Sequence, residues 1–430
     1  MLQKFEFAYG RSKIEFSIPE ENLLGMIQAR VLPALEDPSA QVRKALKDPI
    51  DSPPLSQIVL PGEKVGIVVS DKTRTSGSGV FVPVIVEELL RTGICADDIF
   101  IVFATGTHPL HTPREQEEIV GPEIASNVHL FDHSCRDQSN LEYVGTTKRG
   151  TRVEINKYLF EEADRIILTG VITYHYFAGF GGGRKSILPG VASFRAIQEN
   201  HKLILNPLPG AGMNPLAKTG FLKGNPVHED MEEAALMVSP DYLLNVVLND
   251  KREISAVFAG DFILAHRRGC DFIDEYYGAP LSEPADVVIV GGGGHPKDMN
   301  FVQSHKAMDN AAYALKERGI MIVVAEAAEG FPSPVYEEWA DLGSLEAIED
   351  RLRKEFSIPG HTVYAAMEKA KKFEVIWVSS IHPEKVKKMG ITPTASINEA
   401  LAIVRQSLGH NWKAYVMPDG YGTLPSLQDD

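Results

Sequence analysis

Seven short, almost uninterrupted apolar runs rich in valine and isoleucine constrain this chain more than any other feature. They are Lys64–Ser70, Ile99–Ala104, Arg165–Gly170, Asp286–Val290, Ile320–Val324, Glu374–Val378 and Lys413–Met417. A strand with one wet face alternates apolar and polar residues, whereas a strand covered on both faces reads as a continuous apolar run. Helical patterns lie between the runs. Val82–Leu90 has apolar residues at helical spacing, and Thr112-Pro113-Arg114-Glu115 forms a capping box with proline at the first helical position. Ser193 is placed to cap a helix reaching about Leu203. Strand and helix in alternation predict an α/β fold of mainly parallel sheets flanked by helices.

Two segments depart from this pattern. Residues 4–8 and 13–17 alternate around Gly10-Arg11-Ser12, the signature of a hairpin. Pro49, Pro53 and Pro54 predict a loop. At 430 residues the chain is long enough for more than one domain. The break is expected near 276–283, where Tyr276-Tyr277-Gly278-Ala279-Pro280 interrupts helical patterning. This gives an N-terminal domain, 1–279, and a C-terminal domain, 280–410. The tail, 411–430, could return to the first domain.

Composition excludes several functions. Fifty-eight acidic against 43 basic residues leave a formal charge of −15, which disfavours nucleic acid and anionic membrane surfaces as partners. A small anionic substrate stays compatible through a local basic pocket. Cys95, Cys135 and Cys270 are scattered and form no CxxC pair, against a disulfide framework or a cysteine-rich metal site and consistent with the cytoplasm. The first sixteen residues lack a signal-peptide core. No apolar run approaches the roughly 18 residues of a membrane span.

Ligands of open α/β sheets bind beyond the carboxyl ends of strands, and four of these ends carry unusual loops. They are Ser70-Asp71-Lys72-Thr73-Arg74-Thr75-Ser76, Thr105-Gly106-Thr107-His108-Pro109, the stretch from Tyr174 to Ser186, and Gly291-Gly292-Gly293-Gly294-His295-Pro296-Lys297-Asp298. The third contains Gly179, Gly181, Gly182 and Gly183 followed by Arg184 and Lys185, able to form an anion-binding nest with added charge. It is not a Walker A, because Arg184 separates glycine from lysine and Leu188-Pro189-Gly190 breaks the helix that a P-loop opens. A structural glycine turn is the plainer alternative. His108 and His175 both follow strand ends, and His201 lies on the helix after the glycine loop. His129 and His133 read as strand residues, about 13 Å apart rather than a metal pair. His228, His266, His382 and His410 read as structural, and His111 as part of a helix entry. Arg74 could grip a carboxylate. Gln303 and Lys306, three apart, would share a helix face, where a solvated surface is the ordinary explanation.

Together, Ser70-Asp71-Lys72-Thr73-Arg74, Ala104-Thr105-Gly106-Thr107-His108, Tyr174-His175 through Gly183-Arg184-Lys185, and Glu199-Asn200-His201 resemble the nickel-dependent lactate racemase family. The motifs occur in order over nearly the whole chain. The resemblance implies two α/β domains with the active site in the cleft between them. It also implies a nickel pincer nucleotide, a pyridinium mononucleotide with sulfur ligands to nickel, linked through Lys185. Asp71, Thr73, Gly182, Gly183 and Ser186 would line that cofactor, and His201 would ligate nickel. His108 and His175 would be the two acid/base residues. Arg74, Gln303 and Lys306 would orient a 2-hydroxy acid, and cofactor-synthesis proteins would load the enzyme.

Chemistry makes sense of this set. Removing a proton from C2 beside a carboxylate is difficult, whereas removing hydride yields a planar 2-keto acid. That demands an acceptor no side chain provides, and a base on each face for the hydroxyl proton. One histidine ligand is too few alone, but sulfur and carbon donors would complete a square-planar site suited to Ni(II). The sequence departs from the lactate-acting members at two pocket positions. Val302 stands where tyrosine precedes Gln303, and His361 stands nearest the expected tryptophan. The expected activity is therefore racemisation or epimerisation of a 2-hydroxy acid larger or more polar than lactate, with His361 among its contacts. A nucleotide-dependent transferase using the glycine loop for phosphate, and a non-catalytic metal- or nucleotide-binding protein, are the competing readings.

Overall fold

A computed structural model describes residues 1–427. It divides into two compact units. One comprises Val31–Ile204 and Pro215–Glu275; the other comprises Met1–Arg30, Leu205–Asn214 and the chain from Tyr276 onward.

The first unit is built on a six-stranded sheet. Its order is Ile254–Gly260, Tyr242–Leu248, Arg165–Val171, Val65–Ser70, Ile99–Ala104 and His129–Asp132. All pairs are parallel except Tyr242–Leu248 with the edge strand Ile254–Gly260. Val65 through Val69 are buried residue by residue, as their uninterrupted apolar run requires. Ile67, Val69, Ile101 and Phe103 share a core with Phe81, Ile85 and Leu89 of the helix Ser78–Arg91. The capping box at Thr112 and the Ser193 cap both form, the Ser193 hydroxyl accepting from Ala196 N at 3.1 Å.

The second unit has an all-parallel sheet ordered Thr392–Thr394, Glu374–Val378, Leu315–Val324, Ala285–Gly291, Ala414–Met417 and Leu23–Met26. Two sequence expectations about domain membership differ from this arrangement. Residues 1–30 and 205–214, expected with the N-terminal domain, belong here. The hairpin of Leu2–Tyr9 and Ser12–Pro19 places Phe5, Phe7, Phe16 and Ile18 in one core with Val287, Ile289 and Ile322. The tail also stays in this unit, because Ala414–Met417 pairs with Ala285–Gly291 and Leu424–Leu427 pairs with Gly278–Leu281. Backbone pairing outweighs chain order in both cases. Among the described residues no helix is long and apolar enough to cross a membrane.

Candidate active site

Adjacent parallel strands put Asp71 and His108 side by side, since Ser70 pairs with Ala104 and both loops leave the same sheet edge. Asp71 Oδ2 lies 2.8 Å from His108 Nδ1, and Thr73 Oγ1 lies 3.2 Å from the same nitrogen. Asp71 Oδ1 accepts from Thr73 N at 2.6 Å. Burial alone would raise the Asp71 pKa, but the bonds from His108 and Thr73 outweigh it and hold the carboxylate below its ordinary value. Asp71 and Thr73, assigned from the resemblance to cofactor binding, are thus engaged with His108 in this structure. His111, read as part of a helix entry, braces the loop instead. Its ring is fully buried, with Nδ1 2.6 Å from Asp132 Oδ1 and Nε2 accepting from Lys72 N at 3.1 Å.

The third loop begins as a two-residue ladder, Tyr174-His175 against Gly179-Phe180. It then turns on Gly182 and Gly183, whose φ values of +72° and +55° suit glycine. A Cβ at Gly183 would sit 2.6 Å from His266 Cγ, and one at Gly182 would sit 2.6 Å from Asn245 Oδ1. The loop closes in a single 3-10 turn, Gly183–Ser186, and no α-helix follows before Phe194, unlike a P-loop. The Ser186 hydroxyl donates to Thr169 O at 2.8 Å, anchoring that turn to the strand. Arg184 is buried; its Nη2 donates to Ala178 O at 2.6 Å and its Nη1 is 3.1 Å from His266 Nε2. Burial lowers its pKa to about 10. His266 also reaches Gly181 O at 2.9 Å, so a residue without any site signature in the sequence fixes the loop.

His175 and Lys185 share an electropositive setting. Burial first, then the charges of Lys185, Arg74, His201 and Arg184, push the His175 pKa well below its ordinary value. The Ala178 amide donates to His175 Nδ1 at 3.2 Å, so the neutral ring carries its proton on Nε2. Phe177 meets His175 edge-on at 4.5 Å and His201 edge-on at 5.1 Å. His201 is buried in the last turn of the helix Phe194–Lys202. Lys185 makes no ion pair among the described residues, and burial followed by Arg184 and Arg74 drives its pKa well below that of an ordinary lysine. A half-buried amine held towards neutrality is the form a covalently attached group requires, so these residues fit a lysine-linked cofactor. Among the described residues no three His, Cys, Asp or Glu side chains group to hold a metal, so a metal at His201 would need donors from such a group.

The second unit carries the remaining site candidates. Asn300 caps the helix Phe301–Ala311, accepting from Gln303 N at 3.1 Å. On that helix Lys306 Nζ donates to Gln303 Oε1 at 2.9 Å, as their spacing predicts, and to the Tyr421 hydroxyl at 3.1 Å. His361 is fully buried in the helix Ile358–Lys372. Burial lowers its pKa to about 3, opposed by Asp309 and reinforced by His305 and Lys369. Asp309 itself pairs with Lys369 and lies 3.2 Å from His305 Nδ1. Trp339, distant in sequence, packs its ring where a Cβ on Gly360 would stand, next to His361 in the chain.

Comparisons with known proteins agree with this arrangement. The lactate racemase N-terminal domain matches residues 9–212, and the lactate racemase C-terminal domain matches 281–424. A lactate racemase of Thermoanaerobacterium thermosaccharolyticum is 33% identical over 98% of this chain and 99% of its own. One from Lactiplantibacillus plantarum is 32% identical over 97% of this chain and 99% of its own. The lactate racemase apoprotein structure from T. thermosaccharolyticum superposes with a TM-score of 0.88 at 32% identity, covering 99% of this chain and all of that one. A Thermotoga maritima protein shares the fold alone, with a TM-score of 0.63 at 18% identity over 92% of this chain and all of its own. Two domain matches that together cover most of the sequence, with relatives about one-third identical along almost its full length, make this chain a member of the lactate racemase family and an isomerase.

Proposed function

We propose that the protein inverts C2 of a 2-hydroxy carboxylic acid with a nickel pincer nucleotide attached through Lys185, on a substrate larger or more polar than lactate. The observation that carries the reading is the pairing of two imidazoles, His108 and His175, with a lysine whose amine is held towards neutrality. When bound, the cofactor supplies the hydride acceptor and, with His201, the nickel site. Gly182, Gly183 and Ser186 form the turn beside its attachment point.

The side chains have distinct tasks. His108 directs Nδ1–H at Asp71, which leaves the Nε2 lone pair free to take the substrate hydroxyl proton and stabilises the imidazolium that results. His175 serves the other face. To act as a base it must take the opposite tautomer and release the Ala178 amide. Converting the Lys185 amine into an uncharged linkage keeps it from taking up a proton, so the largest of the charge interactions that would suppress His175 cannot return. Arg74 and Lys306 supply charge for the carboxylate, with Gln303 as a neutral partner. Val302 and His361, in place of larger aromatic groups, favour a bulkier or more polar acid. Cytoplasmic production beside the loading proteins fits three cysteines that are all free.

The test is intact mass and metal content of the protein made with the cofactor-synthesis proteins, beside Lys185→Ala. The expected result is a mass adduct with about one nickel per chain, both lost in the variant. No adduct and no nickel, with a family member loaded in parallel, would overturn the cofactor assignment. Lactate emerging as the best of a broad acid panel would overturn the substrate preference.

A further inference from the structure

We propose that Tyr421 is a substrate-positioning residue: its hydroxyl holds the Lys306 ammonium in place and offers its own proton to the acid that Lys306 binds. This rests on the assignment of Lys306 to the substrate carboxylate made above.

Lys306 differs from the other lysines of its neighbourhood. Lys297 pairs with Asp419 Oδ2 at 2.5 Å, and Lys369 pairs with Asp309. Lys306 is half-buried, yet its partners are the neutral Gln303 Oε1 and Tyr421 hydroxyl, and among the described residues no carboxylate pairs with it. The Tyr421 ring adds a cation–π contact, its centroid 4.7 Å from the ammonium. Two neutral acceptors use two of three N–H donors and cancel no charge, which leaves one donor and a full positive charge for an external anion. The Tyr421 oxygen accepts from Lys306, so its O–H remains free to donate.

The turn that brings Tyr421 there is built tightly. Tyr421 N donates to Asp419 Oδ1 at 3.0 Å, Asn310 Nδ2 donates to Gly420 O at 2.9 Å, and Gly420 N donates to Gly291 O at 2.9 Å. A Cβ on Gly420 would lie 2.4 Å from Val290 Cγ2 and 2.8 Å from Ala307 Cβ. The turn is therefore seated on the helix that carries Lys306, and both its ends are tied to the strand–loop–helix segment containing the fourth glycine cluster. Nothing in the Asp419-Gly420-Tyr421-Gly422 sequence marks this role, because the phenol meets its lysine across 115 residues.

Calorimetric titration of the loaded full-length protein with L-malate and with L-lactate tests the proposal. The proteins are wild type, Tyr421→Phe, Lys306→Met and the double variant, and KM and kcat are measured on the same samples. Tyr421→Phe keeps the ring and removes the hydroxyl. It should weaken binding of the better acid about tenfold and raise KM alike, with kcat within about twofold. The double variant should lose less binding than the sum of the two single losses, a non-additivity that a merely structural tyrosine would not produce. Unchanged binding in Tyr421→Phe, or additive losses, would overturn the proposal while wild-type racemisation still upheld the function. Weakened, non-additive binding with no acid racemised by wild type would overturn the reaction and uphold Tyr421. Absence of binding by wild type would overturn both.

Discussion

Asp71 and His108 lie 37 residues apart in the chain yet touch at 2.8 Å, and that separation decides what a reader of the sequence can see. Each is visible as a polar residue after an apolar run, but their pairing depends on two neighbouring strands being in register. His111 and His266 were hidden for the same reason, since their acceptors are Asp132 and Gly181 on other segments. Asp71→Asn keeps the shape but no longer favours the Nδ1–H tautomer, so kcat should fall about 10²- to 10⁴-fold with little change in KM. Steady-state kinetics on loaded enzyme would show it. An unaltered kcat would return Asp71 to the cofactor role that the family resemblance implies.

Among the elements, the glycine loop carries the sharpest expectation. Gly183 has φ +55° and no room for a Cβ beside His266, so Gly183→Ala must move the ring or the turn. A loss of about 2 kcal/mol is expected in denaturant unfolding, together with reduced cofactor attachment at Lys185. Normal stability and full attachment would show that the loop tolerates displacement. The strand cores were legible because continuous apolar runs have few other uses. Their ends were less so. Leu315–Val324 begins five residues before the expected Ile320, through the exposed Lys316-Glu317-Arg318, where the ladder is irregular: Leu315 pairs with Ala285 and Ile320 with Val287, and Arg318 has φ +60°. The loops that bear His108, His175 and Lys185 were legible as departures from the strand pattern, but their internal bonds were not.

Across the whole molecule, the apolar pattern predicted the two sheets but not which ends of the chain join which. The hairpin and the final strands are distant in sequence from Ala285–Gly291 and meet its sheet only through pairing and the Phe5, Phe7 and Phe16 core. Buried neutral histidines also give the fold a pH dependence. His133 is buried with Nε2 3.0 Å from Ala192 O, and burial lowers its pKa to about 4. The unfolded chain takes up this proton near pH 6.5 and the folded chain only near 4, so stability is full above 6.5 and falls as pH drops between those values. His133 alone should contribute about 3 kcal/mol to that loss. His305, lowered to about 4, and His361, lowered to about 3, act in the same direction. Denaturant unfolding from pH 7.5 to 4 should show the decline, and His133→Gln should flatten it; equal slopes would contradict the assignment.

Inversion of C2 of a 2-hydroxy acid is proposed to run through His108 and His175. The most direct measurement is chiral chromatography of enantiopure 2-hydroxy acids after incubation with loaded wild type, His108→Ala and His175→Ala. Wild type should bring at least one acid, bulkier or more polar than lactate, to a mixture of both C2 configurations from either starting form, and each variant should slow this by at least about 10²-fold. Nickel-loaded wild type that leaves every acid unchanged, or variants as fast as wild type, would contradict it.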